Sequence, residues 1–191
     1  MIKLSVQVSY KQQATLGIIG IVILLLAIEI IANVWWVTQI SCEFEQNEIF
    51  QNFDEVEKRQ LCLDFYNLKT SGDELIPDQS TDSITINSLG FRGDEFSEIN
   101  PSNTYRIFMV GGSTMFGAGA TTDETTIPGY LQQLLNEKNF GFDIEVINSG
   151  IQGADSNTEL KFIEQKLVTF SPDLIIIYDG WNDYVQIILL R

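Results

Sequence analysis

The 191-residue sequence contains no histidine, only two cysteines, and 11 basic residues against 26 acidic ones. Each scarcity removes something. With no imidazole, two lone cysteines offer no credible zinc site, and a serine nucleophile has no histidine in this chain to take its proton. The shortage of Lys and Arg makes nucleic acid and anionic lipid poor partners. The acidic surplus reads most simply as a self-repelling, soluble surface. Internal repeats and low-complexity tracts are also lacking. What remains is a length and a 45% hydrophobic content suited to one domain plus an appendage.

The appendage is an apolar run. Between Gln12 and Cys42 the only charged residue is Glu29, and residues 15–37 exceed the about 20 apolar residues that a helix needs to cross a hydrocarbon core. A cleaved signal peptide is the rival reading, since Lys3 and Lys11 precede the run, although no Ala-x-Ala type site follows it. Basic residues before the run, with Glu43, Glu45, Glu48 and Asp54 after it, predict a cytoplasmic N-terminus and an extracytoplasmic remainder. Trp35 and Trp36 suit an outer aromatic belt, although a pair of core tryptophans would look the same. Glu29, if ionised near the bilayer centre, costs about 2.5–3.5 kcal/mol; it marks a helix–helix contact, or it is protonated or reaches toward the interface. The expected organisation is a cytoplasmic tail at 1–14, a transmembrane helix at 15–37, an extracytoplasmic stalk at 38–83 and a domain at 84–191.

Cys42 and Cys62 fall just beyond the span, where oxidation is permitted. A bridge between them would close a loop of about 20 residues and contribute roughly 3 kcal/mol; two free thiols are the alternative. The acidic segment 43–82 reads as a loosely packed stalk, with a short helix at 54–63 and turns at Ser71-Gly72-Asp73 and Pro77-Asp78. The alternation of Ile84 and Ile86 then leads into a tight turn around Phe91 and Arg92.

From Tyr105 the pattern is regular. A strand YRIFMV precedes a helix carrying Ile127, Tyr130, Leu131, Leu134 and Leu135 at helical spacing. A strand IEVIN begins at Ile144, a helix at 157–168 places Leu160, Ile163 and Leu167 on one stripe, and Pro172 closes it before a strand at 174–178. Strands alternating with helices imply an α/β fold with a parallel sheet and right-handed crossovers. Ligands of such sheets sit beyond the carboxyl ends of the strands.

That rule selects GGSTMFG, NSGIQGADS and DGWND. Ser113, just after a strand and behind two glycines, fits a nucleophile at a helix start, where developing negative charge is favoured; a Gly-Gly-Ser turn is also a common helix cap. Phosphate is disfavoured, because there is no G-x-x-x-x-G-K-[ST] loop and no Lys or Arg between Ile107 and Glu137. Gly150 and Gly153 allow a bare backbone N–H to approach a ligand, or are ordinary turn glycines. Asn182 offers a side-chain amide to an oxyanion, or caps a turn. No cofactor is expected.

Taken in order at the ends of consecutive strands, the GGST, NSGIQG and GWND blocks resemble those of the SGNH (GDSL-type) hydrolase family, and the lead-in NSLGFRG is similar to members whose first block is GGST. The resemblance covers about residues 84–183. It implies a three-layer, flavodoxin-like parallel-sheet core and acyl transfer, with Ser113 as nucleophile and the N–H groups of Ser113 and Gly153 and the Asn182 amide as oxyanion donors. The substrate it implies is an acyl ester or acylated glycan, hydrolysed or used for O-acyl transfer. The family's fourth block, Asp-x-x-His, has no counterpart here. The apolar ending YVQIILLR points to an incomplete core, and the chain by itself is expected to be nearly inactive. Asp155, Asp179 and Asp183 are candidate replacement bases, but caps and turn bonds explain them as well. The alternatives to an esterase are a non-catalytic acyl- or glycan-binding module and a structural membrane subunit assembled through the Glu29 helix.

Overall fold

The computed structural model describes residues 9–39, 42 and 48–189. Lys3, Glu43, Glu45 and Arg191, used above for orientation and for the chain's ending, lie outside the described residues. The chain divides into two units, Met1–Ser41 and Cys42–Arg191.

The first unit contains one helix, α1 (Tyr10–Gln39), of 30 residues. Its stretch Tyr10–Trp36 is long and apolar enough to cross a membrane, and none of it is buried against protein. The helix starts five residues before the apolar run expected at 15–37, because Tyr10 to Ala14 contain no helix breaker and simply extend the turn.

The second unit starts with material expected to be a loose stalk, and here the structure differs. Cys42 and Cys62 are joined by a disulfide with their Cα atoms 5.7 Å apart. Helix α2 (Glu55–Asn67) begins at a capping box in which Asp54 accepts from Val56 N and Glu57 N, and it buries Leu61, Cys62 and Asp64. Short hairpins follow, β1 (Thr70–Ser71) with β2 (Glu74–Leu75) and β3 (Gln79–Ser80) with β4 (Thr85–Ile86). Leu75, Ile84 and Ile86 form a cluster with Phe116, against which Phe65 and Leu68 pack. The period of this segment is weak because so few of its residues are apolar, yet those few are the ones that bury.

The sheet is parallel and three-stranded, in the order β6-β5-β7, from β5 (Thr104–Gly111), β6 (Asp143–Gly150) and β7 (Leu174–Tyr178). Central β5 is a near-continuous apolar run because it is covered on both faces. Phe108 and Val110 join Phe91, Ile147, Phe162, Leu167 and Phe170 on one side. Ile107 and Met109 join Met115, with Leu131 and Leu135 packed against them, on the other. Helices α4 (Ile127–Asn136) and α5 (Ser156–Gln165) supply those two faces.

Because β6 and β7 flank β5 on opposite sides, the strand order reverses at β5, and in such sheets ligands bind beyond the carboxyl ends at this switch point. Of the stripe expected on the second helix, Ile163 and Leu167 face the core and Leu160 does not. Leu160 is 53% exposed, while Glu159 and Phe162 turn inward, and the tail of that helix is a separate 3-10 turn at Leu167–Phe170.

Candidate functional site

At the carboxyl end of β5 the chain turns through Gly112 into the four-residue helix α3 (Ser113–Phe116). Gly112, not Ser113, is the N-cap, and the Ser113 hydroxyl makes no hydrogen bond among the described residues. The helix-cap reading of Ser113 is therefore not what the chain adopts.

Two elements fix α3 from behind. Arg92 is almost fully buried, with Nε 2.7 Å from Asp123 Oδ1, Nη1 donating to Phe116 O and Gly117 O, Nη2 donating to Ser83 O, and the guanidinium lying over the Phe116 ring. Desolvation pulls its pKa down, and the Asp123 hydrogen bond and charge oppose that. Asn148, in the second block, donates from Nδ2 to the same Phe116 carbonyl and accepts from Gly150 N.

The third block brings its amide to this turn. After Gly180, held at φ 124°, helix α6 runs over Trp181–Leu189. Asn182 Nδ2 donates to Ala154 O at 2.6 Å. It also stands 2.6 Å from where a Cβ on Gly112 would be, a separation that side chains do not tolerate, so the glycine makes room for the amide. Gly112 precedes Ser113 and Ala154 follows Gly153, so Asn182 sits one residue from each of the other two candidates. Gly153 is exposed, with φ 72° and open space where a Cβ would project. Asn182 thus reaches across to another loop and does not cap its own turn.

The neighbouring carboxylates divide into two kinds. Asp155 caps α5 by accepting from Thr158 N, which holds its pKa below the usual carboxylate range. Asp183 accepts from Ser156 N and Oγ, at 3.2 Å and 2.5 Å, and is lowered chiefly by the Ser156 hydroxyl. Both are occupied as the capping alternative expected. Asp179 is pushed up by desolvation first and by its carboxylate neighbours after that.

Two residues that matter here were not selected from the sequence. Arg92 was noticed only as part of a turn. Glu159 was not singled out at all, and it is 3% exposed. The only signal available was its spacing, one turn after the N-cap Asp155 and on the side of Phe162.

A cleft of about 540 Å³ lies elsewhere, between Asp123, Gln132 and the outer edge of β6. Its one cation, Arg92, is already saturated, and its rim carries Asp94, Glu95 and Glu124. Among the described residues, no group of three or more acidic or cysteine side chains could hold a metal ion. No protein-family model matches the chain, and no curated protein matches it significantly.

Proposed function

We propose that this chain is a membrane-anchored serine acyl-transfer domain of the SGNH type. Its N-terminus lies on the cytoplasmic side, and its second unit acts on an acyl ester or acylated glycan. The observation that carries the reading is the Asn182 amide wedged against Gly112 and bonded to Ala154 O, beside a Ser113 hydroxyl left without a partner.

In the proposed reaction Ser113 Oγ forms a bond to the acyl carbon and the carbonyl π pair moves to oxygen. The second Asn182 N–H and the N–H groups of Ser113 and Gly153 receive that oxyanion. The alkoxide then leaves with a proton, and water or an acceptor hydroxyl takes the acyl group from Ser113. The proton that Ser113 loses requires a base, and this sequence contains no histidine.

The test supplies that base from solution. Hydrolysis of p-nitrophenyl acetate by the detergent-solubilised chain should barely exceed background. Added imidazole should raise a component that Ser113→Ala lacks, with transient acetylation of Ser113 visible by intact mass. Equal rates for the two proteins at every imidazole concentration would sink the acyl-transfer reading. The missing base favours a second reading, an acyl- or glycan-binding module, which would then be preferred.

A further inference from the structure

The junction between the starts of α5 and α6 concentrates negative charge around a buried group. Glu159, on the first turn of α5, is 3% exposed and its Oε1 has no hydrogen-bond partner. Three carboxylates face it, namely Asp155 at the α5 cap, Asp179 in the turn after β7 and Asp183 on α6.

Among the described residues no cation answers this charge. Lys161 and Glu164, further along α5, are exposed, and Lys166 is taken by Glu74 at 2.7 Å and lies over Phe91. Four carboxylates crowd this junction, and Glu159 alone is cut off from water, since Asp155 and Asp183 are half-buried and Asp179 is exposed. Asp155 and Asp183 are the two held ionised by hydrogen bonds. The retained proton therefore falls to Glu159, whose charge would be both desolvated and repelled. Burial, followed by the charges of Asp179, Asp183 and Asp155, pushes Glu159 up to about 7.

The same junction is what docks the third block. Asn182 Nδ2 to Ala154 O and Asp183 to Ser156 N and Oγ tie the start of α6 to the loop before α5. We propose that Glu159 is a positioning residue: its protonated carboxyl lets the α6 start stay docked with Asn182 over Gly112, and its ionisation repels Asp179 and Asp183 and loosens both contacts. The consequence for acyl transfer rests on the reading of Asn182 as an oxyanion donor; the docking itself does not.

The test is amide hydrogen exchange of residues 179–185 in the full detergent-solubilised chain between pH 5.5 and 8.5, corrected for the intrinsic pH dependence of exchange. Wild type should lose about tenfold in protection, as an opening step of this size implies, with a midpoint near 7. Glu159→Gln should keep the protection at both ends of the range. A pH-independent wild type overturns the proposal without recourse to any variant. So does a transition that persists in Glu159→Gln and disappears in Asp179→Asn. If the transition is present while Ser113 stays inert to imidazole-assisted acylation, the docking switch stands and the acyl-transfer reading fails. If Ser113 reacts and the segment shows no transition, this proposal fails alone.

Discussion

The two ends of the central strand β5 are built on different plans. At its amino end Arg106 is fully buried and answered. Its Nε lies 2.6 Å from Glu145 Oε2, Nη1 donates to Phe170 O, Nη2 donates to Ser97 O, and the guanidinium rests over Phe96. At its carboxyl end stand a hydroxyl without a partner, a buried carboxyl with a bare oxygen and three further carboxylates. Both ends hold a buried, answered arginine, Arg106 at one and Arg92 at the other. The amino end leaves the Asn100 Oδ1 atom unmatched, whereas the carboxyl end leaves a buried carboxyl oxygen and the Ser149 hydroxyl unmatched among the described residues. Unmatched polar groups cost stability, which a fold tolerates where a ligand or a proton supplies the missing partner. Stability is therefore expected to depend on the Arg106 end and chemistry on the Ser113 end.

The sharpest way to break this contrast is Arg106→Ala. Removing the buried Arg106 side chain strands a part-exposed Glu145 carboxylate and three backbone carbonyls, so the unfolding free energy should fall by about 3 kcal/mol in urea titrations. A loss near zero would mean that the amino end carries no special share. Reduction of the Cys42–Cys62 bridge, whose partners are 20 residues apart, should cost about 3 kcal/mol and leave Ser113 chemistry intact, which separates stability from function a second time.

At the other end, Gly112→Ala places a methyl where Asn182 Nδ2 now sits. Imidazole-assisted acylation of Ser113 should drop by about a hundredfold, the scale of losing one oxyanion donor, while stability falls by only about 1–2 kcal/mol. Unchanged acylation would show that Asn182 is not the donor. Ser113→Ala should shift stability by no more than about 0.5 kcal/mol while abolishing acylation altogether.

The last test of the contrast is a pH dependence. The folded chain keeps a proton on Glu159 up to about pH 7, whereas an unfolded glutamic acid releases it near pH 4.3. This contribution is complete below the unfolded value and is lost as pH rises through the folded one. Compared at equal pH, Glu159→Gln should therefore gain stability relative to wild type, by about 2–3 kcal/mol between pH 5 and pH 8. The comparison of the two proteins cancels the opposite trend from Asp155 and Asp183, whose lowered values favour the fold as pH rises. A constant difference across that range would place the proton elsewhere.

Much of the architecture was readable because its signals are local. The strand 174–178 was placed without error, since Pro172 and an unbroken Leu-Ile-Ile-Ile-Tyr run define it. The chain's alternation of apolar strands and helices led to a parallel sheet for the same reason. The segment before residue 84 was misread as loose, because its burial depends on Leu75 and Phe65 meeting Phe116 from a distant part of the chain. In α5 the apolar stripe suggested Leu160, but the helix buries Phe162 against Phe91 instead, and Glu159 is carried inward with it.

By itself, then, the sequence determined the apolar helix, the parallel sheet and the three strand-end loops, since each follows from periodicity and turn chemistry within a few residues. Only the tertiary structure decided that Asn182 presses on Gly112, that Arg92 clamps the carbonyls behind Ser113 and that Glu159 is buried among carboxylates. Apart from Asp155, which is local to Glu159, these contacts join residues some 20 to 70 positions apart, set by how side-chain volumes fill the space around β5, and no local pattern records them.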